Sequence, residues 1–132
     1  MSYLVDMSVL SELLRKVPNP GVEAWADQAD RICLSIVTLE EICFGLGWKP
    51  NPQVLARLEK IVEEHCEVLP ATGAIARRSG ALRGQLQALG KPRTQADMLV
   101  AATAAVHGLT LVTRNVGDFE GCGISVLNPF SS

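Results

Sequence analysis

Five short runs of apolar and β-branched residues are spaced along the chain, with helical patterns between them. They are Leu4-Val5 after Tyr3, Arg31–Val37, Cys66–Leu69, Leu109–Val112 and Ile124–Leu127. A run that is apolar throughout and stopped by polar or turn residues reads as a strand buried on both faces, as in a parallel sheet. Val9, Leu10, Leu13 and Leu14 recur at helical spacing, with Ser8 as the expected N-cap, until Pro18-Asn19-Pro20-Gly21 breaks the pattern. Further helices are expected over Val22–Asp27, from Thr38 to Leu46, over Val54–His65, over Thr72–Leu89 and over Gln95–His107 with Gly108 as C-cap. Val116–Gly123 reads as a loop with room for one helical turn. Strands alternating with helices predict an α/β fold with a parallel sheet. The 132 residues, with no repeat and no linker, predict one domain over residues 1–132.

Charge narrows the function classes. Twelve Lys and Arg stand against 14 Asp and Glu, for a net charge of −2. Such a chain meets a nucleic acid only through a local basic patch or bound cations. Hydrophobic residues make up 48% of the chain, which excludes a disordered protein. No run approaches the roughly 18 apolar residues of a membrane span, so no membrane partner is expected. Asp6 interrupts any leader-like segment, and a cytoplasmic location follows as the expectation. The four cysteines form no C-x-x-C pair; Cys33 and Cys43 are expected as buried, reduced thiols. His65-Cys66, at a helix end, is too little for a zinc site.

Four acids fall where sites form in open parallel sheets, at or near the carboxyl ends of strands. Asp6 ends the first strand, and Glu41 is expected in the first turn of the helix after the second. Asp97 opens the Ala-rich helix, and Asp118 follows the fourth strand with Asn115 beside it. Each has an ordinary structural role open to it. Asp6 and Asp97 suit helix N-termini, Asp118 suits a turn, and Thr38-Leu39-Glu40-Glu41 fits a capping box. Their convergence would be different, because clustered carboxylates stay ionised only around a cation. Mg²⁺ or Mn²⁺ is the hard, oxygen-seeking choice, and such ions promote attack on phosphodiesters. Between Glu67 and Asp97 there is no acid, but there are Arg77, Arg78, Arg83, Lys91 and Arg93, and Arg114 lies near Asp118. This basic stretch is a candidate RNA-binding stripe or a solvated helix face.

These residues carry a family resemblance. Tyr3–Glu12 (YLVDMSVLSE), Ser35–Gly45 (SIVTLEEICFG), Gln95–Ala104 (QADMLVAATA) and Leu111–Phe130 (LVTRNVGDFEGCGISVLNPF) resemble PIN-domain ribonucleases, and closely the VapC-type toxins. The resemblance implies a PIN fold, a central parallel sheet flanked by helices. It aligns the family's four acids with Asp6, Glu41, Asp97 and Asp118 as catalytic and metal-holding residues. It also assigns supporting positions to Ser8, Thr113 and Asn115. It implies Mg²⁺- or Mn²⁺-dependent cleavage of single-stranded or loop RNA, of the transfer or ribosomal class, that arrests translation. It further implies a homodimer and a cognate VapB-type antitoxin that binds DNA at one end and covers the toxin's cleft with the other. One departure stands out: the first motif reads Asp6-Met7-Ser8, where the family usually has Thr at the second position. Met7 donates no hydrogen bond, so a looser site is expected.

The apolar surplus suggests the helices at Val54–His65 and Thr72–Leu89 as covering surfaces for antitoxin or a second subunit. The competing class is a non-catalytic PIN scaffold that binds antitoxin or RNA without cutting. A phosphoacceptor receiver domain is disfavoured because no Lys follows Lys91, and a D-x-D phosphatase because Ser8 stands two residues after Asp6.

Overall fold

The computed structural model describes residues 1–132. Its strands are β1 (Ser2–Val5), β2 (Arg31–Ser35), β3 (Cys66–Leu69), β4 (Thr110–Val112) and β5 (Val126–Leu127). All pair in parallel, in the order β3-β2-β1-β4-β5. The helices are α1 (Met7–Leu13), α2 (Pro20–Gln28), α3 (Ile36–Trp48), α4 (Pro52–Glu64), α5 (Gly73–Ala88) and α6 (Gln95–His107). A single 3₁₀ turn spans Val116–Phe119, inside the expected loop.

Strand periodicity builds two cores. Leu4, Cys33 and Leu111 face a cluster with Leu86 of α5 and Met98, Ala101 and Ala104 of α6. Their neighbours Val5, Leu34 and Val112 face the other side, with Val9 and Leu10 of α1, Val22 of α2, Ile42 of α3 and Leu58 of α4. Alternation by single residues sends adjacent side chains to opposite faces, so strands covered on both sides must be apolar throughout. Each fully buried aliphatic side chain stabilises the sheet by roughly 1.5–3 kcal/mol.

Helix starts correct several sequence expectations. Asp6 itself caps α1, its Oδ1 accepting from the Val9 N–H at 3.2 Å; Ser8 lies inside the helix. β2 stops at Ser35, whose Oγ accepts from the Val37 N–H at 3.1 Å and caps α3. Ile36 and Val37 therefore open a helix rather than finish a strand, since an apolar run alone does not distinguish the two. Thr38 becomes a helix-interior residue, so the Thr38–Glu41 capping box does not form, and Glu41 sits in the second turn. Pro20 and Pro52 each occupy a first helical position behind capping Asn19 and Asn51, which starts α2 and α4 two residues early. α6 keeps its expected bounds, and Gly108 closes it at φ 63°. Cys43 is exposed, contrary to expectation, because it faces outward from α3.

A strap closes the back of the fold. Asn19 Oδ1 accepts from the Gly21 N–H at 3.0 Å and from the Ser131 N–H at 3.0 Å, while Asn19 Nδ2 donates to Ser131 O at 3.1 Å. The start of α2 thus holds the C-terminal segment. Phe130 packs against the second core, and the Arg114 guanidinium lies 4.9 Å from its ring centre.

Candidate active site

The chain runs outward from β1 through β2 to β3, then crosses back to lay β4 against the free side of β1. The gap between the carboxyl ends of β1 and β4 is therefore the switch point where open α/β sheets place their sites. Asp6 follows β1 directly and Thr113 follows β4 directly. The backbone pairing continues one step further, with the Asp6 N–H donating to Val112 O at 3.2 Å.

Asp6 is buried, yet its carboxylate is well partnered. Ser8 Oγ donates to Oδ1 at 2.5 Å, and Thr113 Oγ1 donates to Oδ2. These hydroxyls are themselves oriented. Ser8 Oγ accepts from the Arg114 N–H at 3.1 Å, and Thr113 Oγ1 accepts from the Asn115 N–H at 2.9 Å. The looser site expected from Met7 is not found: Ser8 and Thr113 order Asp6, and the Met7 side chain packs into the second core.

Three further acids share this field. Burial pushes the Glu41 carboxyl above the ordinary range, and the charges of Asp97, Glu40 and Asp6 add to the rise. Burial also raises Asp97, reinforced by Asp118 and Asp6, while a hydrogen bond from Thr94 and the charge of Arg93 pull the other way. Asp118 is exposed on the 3₁₀ turn. The ion pairs of the molecule lie at Asp30, Glu12, Glu67 and Glu64, so none of Asp6, Glu41, Asp97 and Asp118 has a salt-bridge partner. Four carboxylates without a salt-bridge partner, two of them with raised proton affinity, form an arrangement that favours a cation. An all-oxygen, anionic donor set fits a hard divalent ion such as Mg²⁺ or Mn²⁺. Even so, no three acidic, His or Cys side chains converge closely enough to form a ready-made metal cage. None of the four carboxylates lines the largest cavity, about 540 Å³, which lies by Ile32 and Cys66 at the opposite, amino end of the sheet.

The basic residues do not form one stripe. Arg77, Arg78 and Arg83 are exposed on α5. At about 100° per residue they are spread by roughly 100–140° from one another around the helix. Lys91 is exposed after α5. Arg93 reaches the 3₁₀ turn, where its guanidinium donates to the carbonyls of Gly117, Asp118 and Glu120. Asn115 gives its backbone to the turn, its carbonyl accepting from the Asp118 N–H at 3.1 Å, and its side chain makes no capping bond. The Arg93 clamp was not evident from sequence, where that residue counted as one more cation.

The fold has close counterparts. Residues 3–120 match the PIN domain. A VapC ribonuclease of Sinorhizobium fredii, Y4jK, is 35% identical over 96% of each chain. Toxin FitB of Neisseria gonorrhoeae is 32% identical, covering 96% of this chain and 97% of its own. The crystal structure of FitAcB from the same organism superposes with a TM-score of 0.82 over 98% of each chain, at 32% identity. The chain belongs to the PIN-domain family, in its branch of VapC-type ribonuclease toxins.

Proposed function

We propose that this chain, acting as one domain over residues 1–132, is a divalent-metal-dependent endoribonuclease toxin. Its substrate is single-stranded or loop RNA of the transfer or ribosomal class, whose cleavage arrests translation in the cytoplasm. The observation that carries this reading is the set of four salt-bridge-free carboxylates around the switch point. A relative from Shigella flexneri, 28% identical over 93% of each chain, is named a tRNA(fMet)-specific endonuclease, which supports the substrate class. Solved relatives are toxin–antitoxin complexes, among them DNA-bound VapBC from Salmonella typhimurium, with a TM-score of 0.83 at 27% identity. They support a VapB-type antitoxin as partner and a homodimeric toxin.

In this mechanism Asp6, Glu41 and Asp97 would hold Mg²⁺ or Mn²⁺, with Asp118 beside them. The bound ion supplies Lewis acidity, lowering the pKa of water and offsetting charge at phosphorus. Ser8 and Thr113 keep the Asp6 carboxylate in one orientation, so that it need not reorganise during reaction. Arg77, Arg78, Arg83, Lys91 and Arg114 would grip phosphates flanking the scissile bond, and their spread around α5 suits a bent strand better than a straight duplex.

One observation favours a second reading, the non-catalytic scaffold: the carboxylates form no tight cage. Incubation of structured cellular RNAs with the purified chain separates the two. The nuclease gives discrete fragments that need Mg²⁺ or Mn²⁺, vanish in chelator and are lost in Asp6→Asn and Asp97→Asn. A folded, antitoxin-free chain that neither cuts nor binds Mn²⁺ is the scaffold.

A further inference from the structure

Asp118 sits on a turn that holds itself weakly. The internal bonds of this turn are few and mostly long: Asp118 N–H to Asn115 O at 3.1 Å, Cys122 N–H to Phe119 O at 3.3 Å and Glu120 N–H to Gly117 O at 3.4 Å. The position before it, Asn115, makes no side-chain cap. Phe119, with Cys122 just beyond the turn, anchors it by burial in the first core, but neither holds the carbonyls of Gly117, Asp118 and Glu120.

Arg93 supplies what is missing. One nitrogen of its guanidinium donates to Gly117 O at 3.2 Å and Asp118 O at 2.9 Å, and the other donates to Glu120 O at 3.1 Å. The same residue immediately precedes Thr94, whose Oγ1 caps α6 by accepting from the Asp97 N–H at 3.1 Å. Arg93 therefore joins the backbone that carries Asp118 to the backbone that carries Asp97. These two carboxylates repel, and besides Arg93 only the long Cys122 Sγ–Met98 Sδ contact, 4.0 Å, ties their segments together by a polar group.

We infer that Arg93 is a positioning residue for Asp118, clamping the Val116–Phe119 turn to the start of α6 and so fixing the separation of Asp97 and Asp118. This rests on the nuclease reading of the four acids, but it takes Arg93 out of the phosphate-gripping set. The clamp needs a planar fork that donates along several fixed directions at once. A lysine ammonium keeps the charge but not that fork. A phosphate contact, by contrast, is met nearly as well by lysine.

The test compares Arg93→Lys and Arg93→Gln with wild type. The readouts are Mn²⁺ affinity by titration calorimetry, amide exchange across Gly117–Glu120, and kcat and KM on an RNA that the wild type cleaves. The clamp predicts that both variants lose about 10- to 100-fold in Mn²⁺ affinity, as when a group orienting a metal ligand is removed. Both should exchange faster across the turn, with KM and its salt dependence unchanged. Adding Asp118→Asn to Arg93→Gln should then cost little more, because both changes act through one carboxylate. The inference is overturned if Arg93→Lys behaves as wild type while Arg93→Gln raises KM and flattens the salt dependence with Mn²⁺ affinity intact. If wild type binds no Mn²⁺ and cuts nothing, the nuclease reading falls. Exchange then decides the clamp alone: faster exchange in both variants upholds it, and unchanged exchange overturns it.

Discussion

The hydroxyl of Thr113 donates to Oδ2 of Asp6, joining the residue that follows β1 to the residue that follows β4 across 107 positions of sequence. Ser8 Oγ takes the other carboxylate oxygen from within α1. Two hydroxyls from opposite ends of the chain thus orient one buried acid, and the residue between Asp6 and Ser8 is released to pack in the core.

That arrangement predicts opposite results at two threonine-related positions. Thr113→Val removes the donor while keeping its shape. It should lower Mn²⁺ affinity about 10- to 100-fold and destabilise the fold by roughly 1–3 kcal/mol. Met7→Thr, which restores the usual family residue, should leave Mn²⁺ affinity unchanged within error. Calorimetric titration of both variants checks the pair. A large gain in Met7→Thr would mean that Asp6 is not adequately ordered as it stands.

The raised proton affinities of Glu41 and Asp97 predict a stability that depends on pH and metal. A carboxyl with a folded pKa above its unfolded one holds its proton more tightly in the folded chain. Its charge therefore costs stability above the folded pKa, and the cost disappears as pH falls below the unfolded value. In chelator at pH 7, Glu41→Gln and Asp97→Asn should melt higher than wild type, and the gap should close as pH falls through the carboxylate range. Cleavage should drop at least about 100-fold in both, beyond the loss of a mere orienting group. Mn²⁺ at 100 times its Kd should stabilise wild type by about 2.7 kcal/mol and the variants by much less. Thermal scans with and without Mn²⁺ read all of this; equal shifts in wild type and variants would place the ion elsewhere.

The strap at Asn19 makes Gly21 a position without slack. A Cβ there would come within 2.4 Å of Pro129 O and 2.6 Å of Ser131 N, both backbone atoms. Helix propensity alone would favour Gly21→Ala by about 1 kcal/mol. Overpacking against backbone costs typically about 1–3 kcal/mol, so the clash wins or cancels the gain. Gly21→Ala should therefore expel the tail, seen as faster amide exchange over residues 128–132. A tail that stays protected in Gly21→Ala would show that the strap yields without opening.

Thr38 offers a gain instead. Its hydroxyl is fully buried on α3 and has no hydrogen-bond partner. An unsatisfied buried polar group costs roughly 1–3 kcal/mol. Thr38→Val, of equal shape, should raise stability by about 1 kcal/mol, or a Tm increase near 4 °C. A lower Tm in this variant would reveal a partner for the hydroxyl in solution.

Local signals in the sequence were reliable, and distant ones were absent. α6 is legible in the sequence because the Ala-rich pattern after Gly90-Lys91-Pro92 runs unbroken to Gly108, and the structure adds the Thr94 cap at its start. The α/β class followed from the five apolar runs. The β2–α3 boundary was displaced because Ile36 and Val37 suit both strand and helix, and only the Ser35 cap decides between them. Ser8 and Asp6 are both good capping residues two positions apart, and only the Asp6 Oδ1 bond to the Val9 N–H decides between them. The Thr113–Asp6 and Arg93–Asp118 bonds depend on which strands become neighbours, and no local pattern records that.

β1 comes first in the chain but lies at the centre of the sheet, its second partner arriving only with Thr110–Val112. During synthesis, most of the polypeptide must emerge before that strand is enclosed. A product truncated between α6 and β4 carries Asp6, Glu41 and Asp97, yet leaves an apolar edge bare and Asp6 without its Thr113 donor. Such fragments should associate through that edge rather than act. Completeness of the chain is thus a condition of the site, imposed by strand order alone.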